Sequence, residues 1–99
     1  MFNTRQLEQI EWGIQAGVNV SIYAKPEFDS GRMEQVRWGL LDGLDVSIYA
    51  KPEFKWKQMV EIRRGLEAGL KVSVYAKPEF SWGQMGQLRK RLLMEKNNV

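Results

Sequence analysis

The 99-residue chain contains neither cysteine nor histidine. Without cysteine it can form no disulfide and no thiolate metal site. Without histidine it lacks the side chain most often used as a general base or metal ligand near neutral pH. No apolar run approaches the ~20 residues that cross a bilayer, and no segment has the charged-then-apolar pattern of a secretory leader, so a cytoplasmic location without membrane contact is expected. There is no phosphate-cradling glycine loop, no nucleophile elbow and no cluster of ligating side chains. We therefore expect no cofactor and no metal. What is present is 43% apolar and 27% charged residues, the composition of an ordinary globular domain. The length is near the lower end for one self-sufficient core.

The organisation of the chain lies in a repeat. Phe2, Phe28, Phe54 and Phe80 recur every 26 residues, and the segments between them align without a gap. The nine letters VSIYAKPEF close at Phe28 and at Phe54, and VSVYAKPEF closes at Phe80. A single domain over residues 1–99 is thus divided into units 2–27, 28–53, 54–79 and a truncated capping unit 80–99. A fixed period of this length implies a stack in which neighbouring units complete one core.

The first half of each unit predicts a helix. Met59, Ile62, Leu66 and Leu70 follow steps of three, four and four, and units one and two match them. Asn3 with Gln6 and Ser81 with Gln84 fit a capping box, and Asp29 can cap alone; Lys55 cannot, so the third helix is expected to start less firmly. Gly17, Gly43 and Gly69 suit left-handed helix ends. A second glycine sits inside each helix, at Gly13, Gly39 and Gly65, where it costs about 1 kcal/mol relative to alanine. Its repetition predicts a bulky group close to the backbone, and the tyrosines Tyr23, Tyr49 and Tyr75 are the candidates. Arg91 stands there in the last unit, where no tyrosine follows.

The second half of the unit has two readings. Leu70, Val72 and Val74 alternate as in a strand, whereas Asn19 or Asp45 can cap a short helical turn through VSIYA. Pro26, Pro52 and Pro78 end either element and redirect the chain. We expect an all-α helical-repeat solenoid: a long helix, a glycine turn, a short helical turn and a proline turn per unit. The alternative is a β/α stack like that of leucine-rich repeats. The unit, most clearly QMVEIRRGLEAGLKVSVYAKPEF, also resembles a family of 26-residue tandem repeats from Gram-positive anaerobes and their mobile elements, which carry runs like QMEEIRLGLEAGLDVSYA followed by P-x-F. The resemblance covers nearly the whole chain. It implies no particular activity; it implies a phage- or plasmid-derived interaction protein, such as an adaptor or an inhibitor of a host defence nuclease.

Tyr23, Lys25 and Glu27, with their two copies, place a phenol, a base and an acid at close spacing. Catalysis needs one such site rather than three identical ones, so a structural role is expected and an enzyme is not. Partner contacts are expected where the units differ. One column runs Glu11, Arg37, Arg63, Arg89, and the next runs Trp12, Trp38, Arg64, Lys90. These columns read as a surface aromatic at one end and basic at the other, set against a solvated helix face with i, i+4 partners. Trp56 and Trp82 are expected to pack on the preceding Pro-Glu-Phe turn.

Charge is uneven along the chain: units one and two carry −1 and −2, and the last two carry +3 each, for a total of +3. The leading expectation is a scaffold for a protein with an acidic patch. Nucleic-acid binding by the basic half is the second. A homodimer through the repeat ends is the third, with Met1, Phe2 and Leu7 at one end and Leu92, Leu93 and Met94 at the other.

Overall fold

The computed structural model describes residues 1–98. Four α-helices, α1 (Thr4–Gln15), α2 (Ser30–Leu41), α3 (Trp56–Glu67) and α4 (Trp82–Asn97), alternate with short 3-10 turns at Val20–Ile22, Val46–Ile48 and Val72–Val74. Among the described residues there is no strand, so the β/α alternative is overturned and the protein is all-α. The reason is local. Asn19 and Asp45 each accept a hydrogen bond from the backbone N–H two residues on, at 3.2 Å. The valine carbonyl that follows then receives the N–H groups of both Tyr and Ala, as Val46 does from Tyr49 at 3.0 Å and Ala50 at 2.7 Å. These bonds occupy the groups that a strand would offer to a neighbour. Lys71 supplies no side-chain cap, yet the same backbone bonds form at Val72 and are sufficient.

The helix starts follow their capping residues. Asn3 and Gln6 exchange two bonds of 2.8 Å, and Ser81 and Gln84 do the same at 2.8 and 3.1 Å. At α3 only half of the exchange exists: the Lys55 N–H donates to Gln58 Oε1 at 2.8 Å, and lysine has no acceptor to return. The helix starts in the same register nonetheless. At the other end, Gly17, Gly43 and Gly69 have φ of 77°, 71° and 70°. The residue after each donates back to the inner glycine carbonyl, as Val18 does to Gly13 at 3.0 Å, which closes a Schellman ending. Each proline is the second residue of a tight turn, and the phenylalanine N–H bonds the lysine carbonyl three residues back, at 3.0 Å for Phe28. Phe28 and Phe54 are thereby driven into the core.

Each helix packs on the next in chain order, and each 3-10 turn packs on the helix before it, giving a body of 45 × 26 × 16 Å. No described helix is long and apolar enough to cross a membrane. Tyr23, Tyr49 and Tyr75 are wholly buried with Met33, Met59, Met85 and the two phenylalanines. Each tyrosine reaches the inner glycine of its own unit. The hydroxyl donates to a helix carbonyl one turn before that glycine: Tyr23 to Gln9, Tyr49 to Gln35 and Tyr75 to Glu61, all at 2.6 Å. A Cβ on Gly13, Gly39 or Gly65 would collide with the hydroxyl oxygen and lie 2.6–2.7 Å from a Cγ1 of Val20, Val46 or Val72. The glycine's helical cost of about 1 kcal/mol is offset by a hydrogen bond of similar worth and by burial of the ring.

Gly39→Ala is accordingly expected to destabilise the fold by about 2 kcal/mol, against alanine's better helix propensity. Tyr49→Phe should cost about 1 kcal/mol. Because the phenylalanine lacks the oxygen that the new methyl meets, the double variant should lose less than the sum. Urea unfolding of the four chains checks this, and strictly additive losses would contradict the contact.

Candidate functional site

With the glycine side of each helix turned to the 3-10 turns, the opposite side is left toward solvent. Residues four apart share a helix face, so this face carries Thr4, Glu8 and Trp12 on α1, Ser30, Glu34 and Trp38 on α2, Trp56, Val60 and Arg64 on α3, and Trp82, Gly86 and Lys90 on α4. None of these twelve is buried. All four tryptophans of the chain are among them, each between 37 and 52% exposed. The helices run parallel. Arg37, late in α2, meets Gln9 and Trp12, late in α1, and Trp56, at the start of α3, lies beside Gly31 at the start of α2. The tryptophans therefore cross the face from the ends of α1 and α2 to the starts of α3 and α4.

A cation covers each ring. Arg37 lies 5.4 Å from the centroid of Trp12 and Arg63 5.2 Å from that of Trp38. Lys57 serves two rings, 5.7 Å from Trp56 and 5.0 Å from Trp82. The arginine column also performs an internal task. Arg37 Nε donates to Gln9 Oε1 at 2.9 Å, Arg63 Nε to Gln35 Oε1 at 2.8 Å, and Arg89 Nε to Glu61 Oε1 at 2.8 Å. Gln9, Gln35 and Glu61 are the residues whose carbonyls receive the tyrosine hydroxyls. One residue thus ties its own turn through the backbone and the next helix through its side chain.

The residues expected to meet a partner consequently fall into two groups. Arg37, Arg63 and Arg89 are only partly exposed and give their Nε donors to the preceding helix; Arg63 also bonds Glu67 at 3.0 Å. Arg64 and Lys90 are exposed, with Arg64 3.7 Å from the Glu61 carboxylate. Trp12 and Trp38 are exposed beside their arginines. At the ends of the stack, Met1, Leu7 and Met94 are exposed, whereas Phe2, Leu92 and Leu93 are partly buried.

No family model, curated protein or solved structure matches the chain. Among the described residues no cluster of three His, Cys, Asp or Glu side chains is placed to share a metal ion. The tyrosine hydroxyls are committed to helix carbonyls, and Lys25 and Glu27 stand exposed, away from that buried bond. Burial pushes all three phenols above their ordinary value, opposed at a smaller level by Arg37, Arg63 and Arg89 respectively.

Sequence reasoning missed a further feature. The starts of α3 and α4 flank a groove of about 670 Å³ whose walls include Trp56, Lys57, Trp82 and, from α2, Arg32. Pro78, Glu79 and Phe80 line it too, so the Pro-Glu-Phe turn before Trp82 borders the same groove as both tryptophans. The available signal was the column Gln6, Arg32, Gln58, Gln84, which breaks at one position. Gln6 and Gln58 each donate Nε2 to the phenylalanine carbonyl that opens the next unit, at 2.7 Å. Arg32 makes one long bond instead, Nη1 to the Glu27 carbonyl at 3.5 Å, and its Nε is buried without a partner.

Arg63→Ala should destabilise the protein by about 2 kcal/mol, since a charge-assisted bond and a cation–π contact are lost together. Arg64→Ala should stay within about 0.5 kcal/mol of wild type. Thermal or urea unfolding of the two variants separates them, and equal effects would contradict the clamp. Alkali gives an independent check. Above about pH 10 the unfolded chain loses phenolic protons that the native chain retains. Stability should therefore hold below pH 10 and fall as pH rises toward the raised native values. Phenolate absorbance should appear together with loss of helical circular dichroism; phenolate formation in a still-folded chain would contradict it.

Proposed function

We propose that the chain is a short helical-repeat solenoid serving as a non-enzymatic scaffold that binds another protein through its tryptophan face. The observation that carries this reading is the gathering of all four tryptophans, half-exposed, on one face of the stack. A single surface tryptophan needs no explanation, but several on one surface have the composition of an interface core. Polar specificity comes from Lys57, Arg64 and Lys90 on the α3–α4 half, facing Glu8 and Glu34 on the α1–α2 half. A partner with an acidic patch over the first set suits this division. The non-enzymatic part of the reading is supported by the tyrosines, whose hydroxyls already serve the helix backbone.

Nucleic-acid binding is the second reading, favoured by the exposed Arg64, Lys90 and Lys57. Arg63 and Arg89 are already engaged inside the molecule, and Glu8 and Glu34 would repel a phosphate backbone running along the face.

A photo-crosslinking residue at Glu34 is expected to capture a protein that the same residue at Ser47, on the 3-10 turn side, does not. Trp38→Ala should weaken the purified complex by about tenfold or more, and Arg64→Glu with Lys90→Glu should slow its association. Equal capture from both positions would refute the assigned face. Steeply salt-dependent affinity for an unrelated duplex, lost on the same charge reversals, would favour the second reading.

A further inference from the structure

We infer that the groove between the starts of α3 and α4 is a peptide-docking site, receiving an extended partner segment in which an acidic side chain neighbours a large apolar one. The inference rests on the scaffold reading and names the chemistry of one part of its partner. Three observations lead to it. First, Trp56 and Trp82 flank the groove while Lys57 lies against both rings, at 5.7 and 5.0 Å. Lys57 thus bridges the two rings, which remain about half exposed and open to an apolar side chain.

Second, Arg32 is the one break in a column that otherwise holds glutamine. Where glutamine stands in α1 and α3, it makes a short bond to the next unit. Arginine forgoes that bond, leaves a buried Nε unpartnered and retains a single 3.5 Å contact. A buried unpaired donor is a cost to the fold that requires a reason, and local rules are most often broken where a site is built. The guanidinium differs from those of Arg37, Arg63 and Arg89, which each give Nε to the preceding helix: its Nε has no partner and only Nη1 is engaged, at 3.5 Å. A carboxylate is the acceptor that matches a guanidinium fork.

Third, the rim is mixed in sign. Asp29, Glu53 and Glu79 line the groove together with Arg32, Lys55 and Lys57. Neither Arg32, Lys57, Glu53 nor Glu79 forms an ion pair among the described residues. Three carboxylates repel a phosphate chain, whereas one peptide carboxylate can settle on Arg32 with its neighbours kept off the acids. The amide of Gln84 in the same wall can serve the peptide backbone.

Selection from a display library of random dodecapeptides on the intact chain tests this. The recovered peptides should carry Asp or Glu beside an aromatic or large aliphatic residue. Arg32→Gln should weaken their binding by about tenfold or more. That variant restores the residue found in α1 and α3, so its melting temperature should equal or exceed wild type. Trp82→Ala, which removes an exposed ring, should weaken the same peptides. The proposal is overturned if no peptide is recovered, if the peptides lack an acid, if Arg32→Gln binds them equally well, or if an oligo-dT strand displaces them at lower concentration. Peptides that depend on Trp12 and Trp38 but not on Arg32 would overturn the groove while leaving the scaffold reading intact.

Discussion

A phenol hydroxyl set against a bare stretch of helix backbone is the contact on which the rest of the structure depends. For Tyr49 to reach the Gln35 carbonyl at 2.6 Å, the helix must offer a residue without a Cβ, and Gly39 does so. The chain must also turn back after that glycine, which the left-handed Gly43 and the 3-10 turn accomplish. It must then leave the buried tyrosine and start a new helix at a fixed distance, which the turn around Pro52 and the buried Phe54 accomplish. Each requirement of the contact is one feature of the repeat. That is why the phrase VSIYAKPEF varies so little while the helices around it change.

The same contact joins one unit to the next. Gln9, Gln35 and Glu61 accept the tyrosine at the carbonyl and the following unit's arginine at the side chain. Disturbing the tyrosine moves the segment that orients the clamp, so fold within a unit and packing between units are coupled. The joints differ in kind. The first two pair a neutral amide with a guanidinium, whereas the third pairs the Glu61 carboxylate with Arg89 at 2.8 Å and, more loosely, with Arg64. The guanidinium makes all three bonds charge-assisted, and the third adds an opposite charge on the acceptor. Gly86 makes room for it: a Cβ there would stand 3.3 Å from Glu61 Oε1.

Much of this frame was legible in the residues. The steps of three and four marked the helices, and Asn3, Asp29 and Ser81 marked their starts. Glycines retained three times at an energetic cost pointed to the tyrosines. The 3-10 turns were not decidable, because Val-Ser-Ile satisfies a strand's alternation and a helical turn equally well in so short a run. The arginine clamps were invisible for a different reason. Their partners lie 28 residues away in the preceding unit, and neither helical nor strand periodicity connects such positions. The groove was hidden similarly, since Arg32, Lys57 and Trp82 come from three helices.

Variation between repeats is therefore an ambiguous guide to function. The column holding Arg37, Arg63 and Arg89 departs from Glu11, which resembles a surface tuned to a partner, yet each of its Nε donors is engaged in holding helices together. The column of Gln6, Arg32, Gln58 and Gln84 varies at a single place, and there the change removes an internal bond without supplying another. What separates the two is whether the new polar group finds its partner inside the molecule. A donor satisfied internally has little left to offer, because a partner would have to break the existing bond first. A buried donor left unsatisfied carries a desolvation cost that its own fold does not recover. By that criterion Arg32, with its buried Nε unpartnered, is the position most out of keeping with a purely structural role.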